Sequence, residues 1–443
     1  MTDKVIYTEI KKLHAYKIFK KYTQDILIET ITNFFNCSVE IIVYPKKEFL
    51  SKYDINIDDN INRGFYPINE TSVLILGRMF RKNQLISAVG FKIEDINVSK
   101  YTKILNDFEN VLTHFLTLQL PTYFEESSII FGDFIIKETI VKYISSGSYD
   151  SRQIRHLLQY FFKLRTTSFE GSYFSTGAIF TKSTDILEGK RYGTTIKLDN
   201  PFKISNTNNI DKRIWYLVDG KTSFFLGNKD LLFKNLFTTN EEYSKINFLD
   251  NHSLALTLKG GDFVVKIESE KLFTITTADS AEFSFFENKW RYRNYSVFID
   301  IIKQHVTTDM TVVNKILFYT ISCSKKQLST ILWFPEDLDN IDEYINTGTK
   351  NNFLKQNINI TDSQYTNHIF RCLSSDGASI IDKFGNLLYL GVIVNLDKAK
   401  VSGIAGTGES AASILKSNGL SIKISSDGMI KMFMKNKDKP FYF

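Results

Sequence analysis

The chain is poor in cysteine, in proline and in net charge, and each shortage argues against a class of protein. Its three cysteines, Cys37, Cys323 and Cys372, are too few and too widely spaced for a disulfide framework or a zinc site. Only six prolines occur in 443 residues, which excludes stiff proline-rich linkers. The 55 basic and 49 acidic residues leave a net charge of +6, which does not predict a DNA-binding surface.

Long apolar runs are also missing. A membrane-spanning helix needs about 20 consecutive apolar residues, and the closest stretch, 112–120, is interrupted by threonine, histidine and glutamine. The first residues lack the basic segment and the apolar core of a secretion signal. Because the cysteine usage also suits a reducing compartment, we expect a cytoplasmic protein that does not contact a membrane.

The residues that are present suit a globular protein with several hydrophobic cores. Hydrophobic residues make up 43%, aromatic residues 14% and charged residues 23% of the chain. A length of 443 residues predicts two or three domains. We place them at 1–125, 126–290 and 291–443, in a protein of the α/β (α+β) class.

The first predicted domain, 1–125, combines strand patterns with one amphipathic helix. Strand-like runs begin at Ser38, Ser72 and Leu85, and apolar residues three and four apart predict a helix over 104–115. Two interpretations remain open, a sensory domain and a module for dimerisation or packing.

The second predicted domain, 126–290, begins with a helical segment and continues with strands. Bases and aromatic residues share the helical pattern of 152–165, which is typical of a solvated face above a buried stripe. From about 170 to 290 the hydrophobic period shifts towards two, which predicts a β-rich region.

This region contains a sequence echo of the last third. Asp219-Gly220 resembles Asp376-Gly377 at an offset of 376 − 219 = 157, and a strand-like segment at Ser175 resembles one at Leu328 at an offset of 328 − 175 = 153. Either the region is a degenerate copy of the last third, or each Asp-Gly pair is simply a turn between strands.

The last predicted domain, 291–443, alternates helices with strands. Helical patterns at about 295–305 and 309–323 lead into a strand at 329–334, and further strands surround residue 376 and cover 420–424. This order predicts a mixed sheet flanked by helices.

Two motifs in this domain predict a nucleotide site. Asp376-Gly377-Ala378 places a carboxylate and a glycine at the beginning of an apolar strand. About thirty residues later, Gly406-Thr407-Gly408-Glu409-Ser410 is a glycine-rich turn that opens a helix, a frequent way of holding phosphate.

The order and spacing of five segments resemble the diadenylate cyclase domain family, of the DisA N-terminal type. They are 325–336 as the first core strand with its acidic end, 342–348 ending in Thr-Gly, the Asp-Gly-Ala motif at 376–378, the Gly-Thr pair at 406–407, and 424–428 where the family has Ser-Glu-Glu and a glycine.

The resemblance, which covers 295–436, implies a domain that joins two ATP molecules into cyclic di-AMP. One departure concerns phosphate binding, because the family has Arg-His-Arg where this chain has Gly408-Glu409-Ser410. In the family these cations hold the triphosphate, whereas Glu409 repels a triphosphate unless it binds a metal. Ser426 also replaces the first glutamate of Ser-Glu-Glu.

The remaining residues imply a metal-assisted site. Asp376 is predicted as a catalytic residue and a ligand of Mg²⁺ or Mn²⁺, with Asp427 as a second metal ligand and Glu409 as a catalytic residue or metal ligand. The predicted nucleotide-binding residues are Gly377, Ala378, Gly406, Thr407, Gly408 and Ser410.

Each of these residues also has a purely structural interpretation. Asp376 is then a turn residue, Thr407 the helix N-cap, and Glu409 an acid favoured by the helix dipole. Lys423 and Lys431 are interpreted as solvated strand positions.

Two functions are compatible with these residues. One is a divergent nucleotidyltransferase that makes a nucleotide second messenger from ATP or another nucleotide, in bacterial stress or antiphage signalling. The other is a catalytically inactive nucleotide sensor, and a scaffold without a ligand is the third alternative. We expect a homo-oligomer, and in the signalling case a downstream effector that the nucleotide gates.

Overall fold

A computed structural model describes residues 27–42, 64–81, 84–118, 128–146, 149–182, 193–204, 212–240, 251–255, 257–351, 358–396 and 406–443. The chain divides into two compact units, Met1–Ser244 with Leu254–Asn294, and Lys245–Ser253 with Tyr295–Phe443. The boundary predicted at 290/291 lies close to the beginning of the second unit at Tyr295, and the boundary predicted at 125/126 falls inside the first unit.

The first unit begins with an antiparallel sheet of four strands in the order β1-β4-β3-β2. Its elements are α1 (Ile28–Phe35), β1 (Ser38–Ile42), β2 (Phe65–Asn69), β3 (Ser72–Arg81), β4 (Gln84–Glu94) and α2 (Val98–Leu118). Helix α2 packs against β3. A buried ion pair joins them, because the guanidinium of Arg78 lies 2.8 Å from the Glu109 carboxylate.

The same unit contains a larger sheet of eight strands in the order β14-β13-β12-β11-β7-β9-β10-β8. Helices α3 (Ser128–Ser145) and α4 (Ser151–Arg165) precede it. The strands are β7 (Thr176–Phe180), β8 (Gly193–Lys203), β9 (Ser223–Gly227), β10 (Leu232–Thr239), β11 (Phe263–Ile267), β12 (Leu272–Thr277), β13 (Ala281–Phe286) and β14 (Lys289–Asn294). A separate two-stranded ribbon pairs β5 (Ser168–Phe169) with β6 (Ser172–Tyr173). The short helix α5 (Asn251–Ala255) spans the division between the units, since its residues 251–253 belong to the second unit.

The second unit is built on a sheet of seven strands in the order β16-β18-β17-β15-β19-β20-β21. Its helices are α6 (Tyr295–His305), α7 (Met310–Lys325), α8 (Thr366–Leu373) and α9 (Thr407–Leu415). Its strands are β15 (Thr330–Phe334), β16 (Ile358–Asn359), β17 (Ala378–Ile381), β18 (Asn386–Val392), β19 (Leu420–Ile424), β20 (Ile430–Phe433) and β21 (Phe441–Tyr442).

Apolar cores cover both faces of the central strand β15. Leu332 and Phe334 belong to a core that includes residues of α6 and α7, whereas Ile331 and Trp333 belong to a core that includes residues of α9. All five residues of the strand are buried because side chains alternate between two covered faces. The α/β (α+β) class is therefore confirmed, with helices flanking a mixed sheet as predicted. Across the described segments, no helix has the length and the apolar composition needed to cross a bilayer.

The buried imidazole of His252 makes the stability of the second unit depend on pH. The ring packs against Tyr295 with centroids 5.4 Å apart, and burial lowers the pKa of His252 to about 4. The unfolded chain, with a histidine pKa of about 6.5, therefore binds a proton more readily than the folded chain. The resulting stability is complete above pH 6.5 and is lost as the pH falls from about 6.5 towards 4.

We predict that lowering the pH from 7 to 4.5 costs the folded protein on the order of 2 kcal/mol through His252 alone. In thermal unfolding scans, His252→Leu should therefore have a flatter dependence of Tm on pH than the wild type. His368→Leu is the matched control, because His368 is exposed and should keep the wild-type slope. Equal slopes in the wild type and in His252→Leu would contradict this assignment.

Candidate functional site

The strand directions of the second unit bring the predicted site residues to one edge of its sheet. Strands β15 and β17 are parallel, so both begin at this edge, and β19 is antiparallel to β15 and ends there. Asp376 and Gly377 lie just before β17, Ser329 lies just before β15, and Lys423 lies near the end of β19. We call this set of strand ends the site edge.

Asp376 presents its carboxylate to solvent at the site edge. The residue is exposed, and its Oδ1 accepts a 3.0 Å hydrogen bond from the amide of its neighbour Gly377. Gly377 has φ +96°, and a Cβ there would lie 2.7 Å from backbone atoms of Gly391 and Val392. The glycine is therefore required by the fold itself.

Ala378, the third residue of the motif, has a structural role for its side chain. It is fully buried in the core beside α9, so a ligand at the site edge can reach only its backbone. Ser410 is also buried, at 9% exposure, in the first turn of α9. These two predicted nucleotide-binding side chains therefore do not face solvent at the site edge.

The first turn of α9 leaves two amides available. Gly406 is the N-cap in an extended conformation, and its carbonyl accepts hydrogen bonds from the amides of Glu409 (3.0 Å) and Ser410 (3.1 Å). Because an α-helix does not pair its first amides internally, those of Thr407 and Gly408 remain for an anion. The structural alternative for Thr407 is wrong, since Gly406 and not Thr407 caps the helix.

Lys423, interpreted from the sequence as a solvated strand position, is only half-buried, and it also contacts a side chain at the site edge. Its Nζ donates a 2.9 Å hydrogen bond to Ser329 Oγ, and a Cβ built on Gly408 would lie only 3.1 Å from the same nitrogen. Burial lowers the pKa of Lys423, and the negative charge of Asp376 partly opposes this by raising it. A cation therefore lies against the glycine-rich turn and within the electrostatic reach of the aspartate.

The alternation of side chains along β19 indicates on which face of the strand Lys423 lies. Leu420, Ile422 and Ile424 are fully buried on one face of β19, and Ser421 on the other face is equally buried. Lys423 alternates with Ile422 and Ile424 and therefore lies on the same face as Ser421, near the end of the strand and with intermediate exposure.

Glu409 forms an ion pair with a second lysine. Lys431 Nζ lies 2.7 Å from Glu409 Oε2, with side chains 16% and 36% exposed. Lys431 is directly opposite Lys423 in the pairing of β20 with β19. The negative charge that Glu409 brings to the phosphate turn is therefore compensated within the protein, so Glu409 does not need a metal to balance it.

Asp427 lies at the site edge, on the turn between β19 and β20. Its Oδ1 accepts a 2.9 Å hydrogen bond from the amide of Met429. Two strand spacings, roughly 10 Å, separate β17, which Asp376 precedes, from β19, which leads into the turn of Asp427. In the described part of the chain, no group of three His, Cys, Asp or Glu side chains is close enough to hold a metal.

These donors fit a metal that arrives with a nucleotide better than a metal held by the protein alone. The Asp376 carboxylate is exposed, and its described hydrogen bond comes from the adjacent residue. Mg²⁺ commonly takes one or two carboxylates and completes its six ligands with phosphate and water. Asp376 would then hold the ion, with Asp427 still a predicted second ligand.

Comparisons with known proteins do not identify a family. No family model matches the chain, and no curated protein matches it. Among solved structures, the chain is similar to a hypothetical membrane spanning protein from Bacillus cereus, with 16% identity, a TM-score of 0.24, and coverage of 29% of this chain and 63% of that one. It is also similar to a double mutant of DacA from Staphylococcus aureus, with 17% identity, a TM-score of 0.24, and coverage of 30% and 87%. At these scores neither likeness establishes a shared fold.

We predict that removing the charge of Asp376 lowers the pKa of Lys423, since the aspartate stabilises the charged ammonium. Reductive methylation with ¹³C-formaldehyde followed by an NMR pH titration measures this pKa, and Lys423→Arg identifies the signal. Asp376→Asn should shift the titration to lower pH. Asp339→Asn, an exposed position after the other end of β15, should leave it in place. A titration that Asp376→Asn does not change would place the two groups apart.

Proposed function

We propose that the second unit binds a nucleoside triphosphate with Mg²⁺ or Mn²⁺ at the site edge and acts as a divergent nucleotidyltransferase. The observation that carries this proposal is the position of Lys423 Nζ, which lies 3.1 Å from the point that a Cβ on Gly408 would occupy at the beginning of α9. A cation, an exposed carboxylate and two helix amides without an acceptor among the described residues then border the same edge of the sheet.

Lys423 supports the proposal because it supplies the positive charge that the glycine-rich turn lacks. The family that the sequence resembles places arginine and histidine in this turn, whereas this chain has Gly408, Glu409 and Ser410. A lysine ammonium binds phosphate as a point charge. Because Lys423 reaches the turn from a neighbouring strand, phosphate binding does not require the cations of the turn itself.

The reaction that these groups support is attack of a ribose 3′-hydroxyl on the α-phosphorus of a triphosphate. A new O–P bond forms, the bond between the α-phosphorus and the pyrophosphate oxygen breaks, and pyrophosphate leaves. The Asp376 carboxylate receives the hydroxyl proton, and Lys423 with the amides of Thr407 and Gly408 holds phosphate oxygens. A divalent ion bound with the nucleotide would neutralise further phosphate charge.

A second candidate is a nucleotide sensor that does not turn over its ligand. It is favoured by the small number of acidic groups, because Glu409 is occupied by Lys431 and the described residues do not form a three-ligand metal group. The choice of ATP over other nucleotides, a homo-oligomer, a nucleotide-gated effector and a role in stress or antiphage signalling belong to the proposal through the resemblance alone.

We predict that the purified full-length chain converts at least one labelled NTP into a new phosphodiester product with Mn²⁺ or Mg²⁺, and that Asp376→Asn abolishes the product. Lys423→Met should weaken nucleotide binding roughly tenfold or more, since it removes a charge-assisted contact. Asp339→Asn is the matched control and should behave as the wild type. Saturable binding without a product would select the sensor, and the absence of any NTP binding by the wild type would refute both candidates.

The Glu409–Lys431 pair generates a double-mutant test. Lys431→Met leaves the Glu409 carboxylate uncompensated beside the phosphate turn and should weaken nucleotide binding several-fold, because like charges repel. The double variant Glu409→Gln with Lys431→Met should recover most of the loss. Calorimetric titration of the four proteins measures the coupling. Additive effects of the two substitutions would show that the pair does not act on the bound anion.

A further inference from the structure

The two large sheets of the chain follow the same path. The order β13-β12-β11-β7-β9-β10-β8 in the first unit matches β21-β20-β19-β15-β17-β18-β16 in the second, so that each strand corresponds to the one eight numbers later. In both sheets the first and third of these strands in chain order are parallel, as β7 with β9 and β15 with β17. The described neighbours are otherwise antiparallel.

The pairing registers also agree. Ala178 pairs with Phe225 in the first sheet and Leu332 pairs with Ser379 in the second, at offsets of 332 − 178 = 154 and 379 − 225 = 154. On the other side, Ala178 pairs with Val265 and Leu332 with Ile422, which gives 422 − 265 = 157. The parallel partner lies 47 residues further along the chain in both sheets, since 225 − 178 = 47 and 379 − 332 = 47. The bounds of β7 and β15 differ by 154 at both ends, and those of β11 and β19 differ by 157 at both ends, which fixes the correspondence of residues between the two sheets.

The helices before the central strands extend the correspondence. Helices α3 and α4 precede β7, as α6 and α7 precede β15. Asp150 caps α4 through the amides of Arg152 and Gln153, and Asp309 caps α7 through the amide of Thr311, at an offset of 309 − 150 = 159. The N-cap aspartate at the same structural position in both units supports the correspondence independently of the strand order.

This correspondence assigns counterparts to three groups at the site edge. Ser329 corresponds to Ser175 and Asp376 to Thr222, both at the offset of 154, and Lys423 corresponds to Lys266 at the offset of 157. The sequence echo that matched Asp219 with Asp376 is therefore displaced by three residues. The first sheet keeps a serine and a lysine at these positions, but it has a threonine where the second has the aspartate.

Asp219 stabilises the turn before β9 in the first sheet through hydrogen bonds within that turn. Its Oδ1 accepts hydrogen bonds from the amides of Lys221 (2.8 Å), Thr222 (2.8 Å) and Ser223 (2.9 Å), and its Oδ2 accepts one from the Thr222 hydroxyl (2.8 Å). Burial by itself raises the pKa of Asp219, but these hydrogen bonds outweigh it and hold the pKa below its usual range. The Ser175 hydroxyl donates to the Asp219 carbonyl at 3.0 Å. The carboxylate is thus committed to its own loop.

Lys266 is enclosed beside a carboxylate of the protein. It is 2% exposed, and its Nζ lies 4.0 Å from Glu268 Oε1. The corresponding position in the second unit is Ser425, since 268 + 157 = 425. The negative charge that a phosphate would supply to this lysine is therefore already supplied by Glu268.

We infer that the chain contains two copies of one fold and that, among the residues the structure describes, only the second copy keeps an open nucleotide site, so that each chain binds one nucleotide. In the first copy, over 128–286, the Asp219 turn and the Lys266–Glu268 pair replace the ligand with internal contacts. In the second copy, over 295–442, the corresponding groups Asp376 and Lys423 border the site edge. The stoichiometry of one nucleotide per chain depends on the proposed function, whereas the closed state of the first copy does not.

The test compares Asp219→Ala with Asp376→Ala in the full-length chain by calorimetric titration with α,β-methylene ATP, the equivalent GTP analogue and Mg²⁺. We expect one analogue bound per wild-type chain, a loss of binding of at least tenfold in Asp376→Ala, and wild-type stoichiometry and Kd in Asp219→Ala. Thr222→Val, which removes a single hydroxyl, serves if Asp219→Ala does not fold, and it should also bind as the wild type. Two analogues per wild-type chain, or equal losses in the two alanine variants, would overturn the inference.

A measurement of thermal unfolding distinguishes a failure of this inference from a failure of the proposed function. Because Asp219 accepts several hydrogen bonds and Asp376 accepts one described bond, Asp219→Ala should lower Tm by more than about 2 °C, and Asp376→Ala should lower it by less. If the wild type binds neither analogue, the proposed function fails, and the difference in Tm still decides whether the first copy is closed. Equal shifts in Tm would show that the two turns do not differ in this way.

Discussion

The parallel pairing of β17 with β15 is the constraint on which the rest of the second unit depends. Because parallel strands begin at the same edge, this one pairing places Asp376 and Ser329 side by side, and the antiparallel strand β19 then adds Lys423 at its other end. Helix α9 shares a core with Trp333 and Ile331 on one face of the sheet, which holds its first turn at the same edge. The candidate site is therefore a consequence of strand direction and of a helix fixed by apolar packing.

Charge balance decides what this edge is suited to bind. The register of β19 with β20 sets Lys423 directly opposite Lys431, but the two ammonium groups have different partners. Lys431 pairs with Glu409, whereas Lys423 contacts Ser329 and the glycine-rich turn. The repulsion that Glu409 would exert on a phosphate is thereby reduced, and the Lys423 ammonium lies beside the glycine-rich turn. This division of roles explains how an anion can be held although the turn itself carries an acid.

The two large sheets share one strand order but differ in how polar side chains at corresponding positions are paired. Both have a serine before the central strand and a lysine on the neighbouring antiparallel strand. In the first, Glu268 and Asp219 supply internal carboxylates, so the polar groups are satisfied within the protein and contribute to its stability. In the second, the corresponding positions are a serine and a leucine, at 425 and 373, so these internal acids are missing. Buried polar groups need partners, which the closed turn supplies in the first sheet, whereas the Asp376 carboxylate in the second is exposed.

The sequence by itself determined the element types, the mixed sheet and the position of the glycine-rich helix start, because hydrophobic period and turn residues are local properties. It also located Asp376 at the beginning of a strand. Only the tertiary structure decided the role of Lys423, since strand pairing brings it to Ser329, 94 positions earlier, and the packing of α9 brings it to Gly408, 15 positions earlier. The same applies to Glu409, whose ion pair with Lys431 crosses from a helix to a strand, and to the register that separates Asp219 from Asp376. Contacts between distant segments depend on packing and strand pairing, which no local pattern encodes.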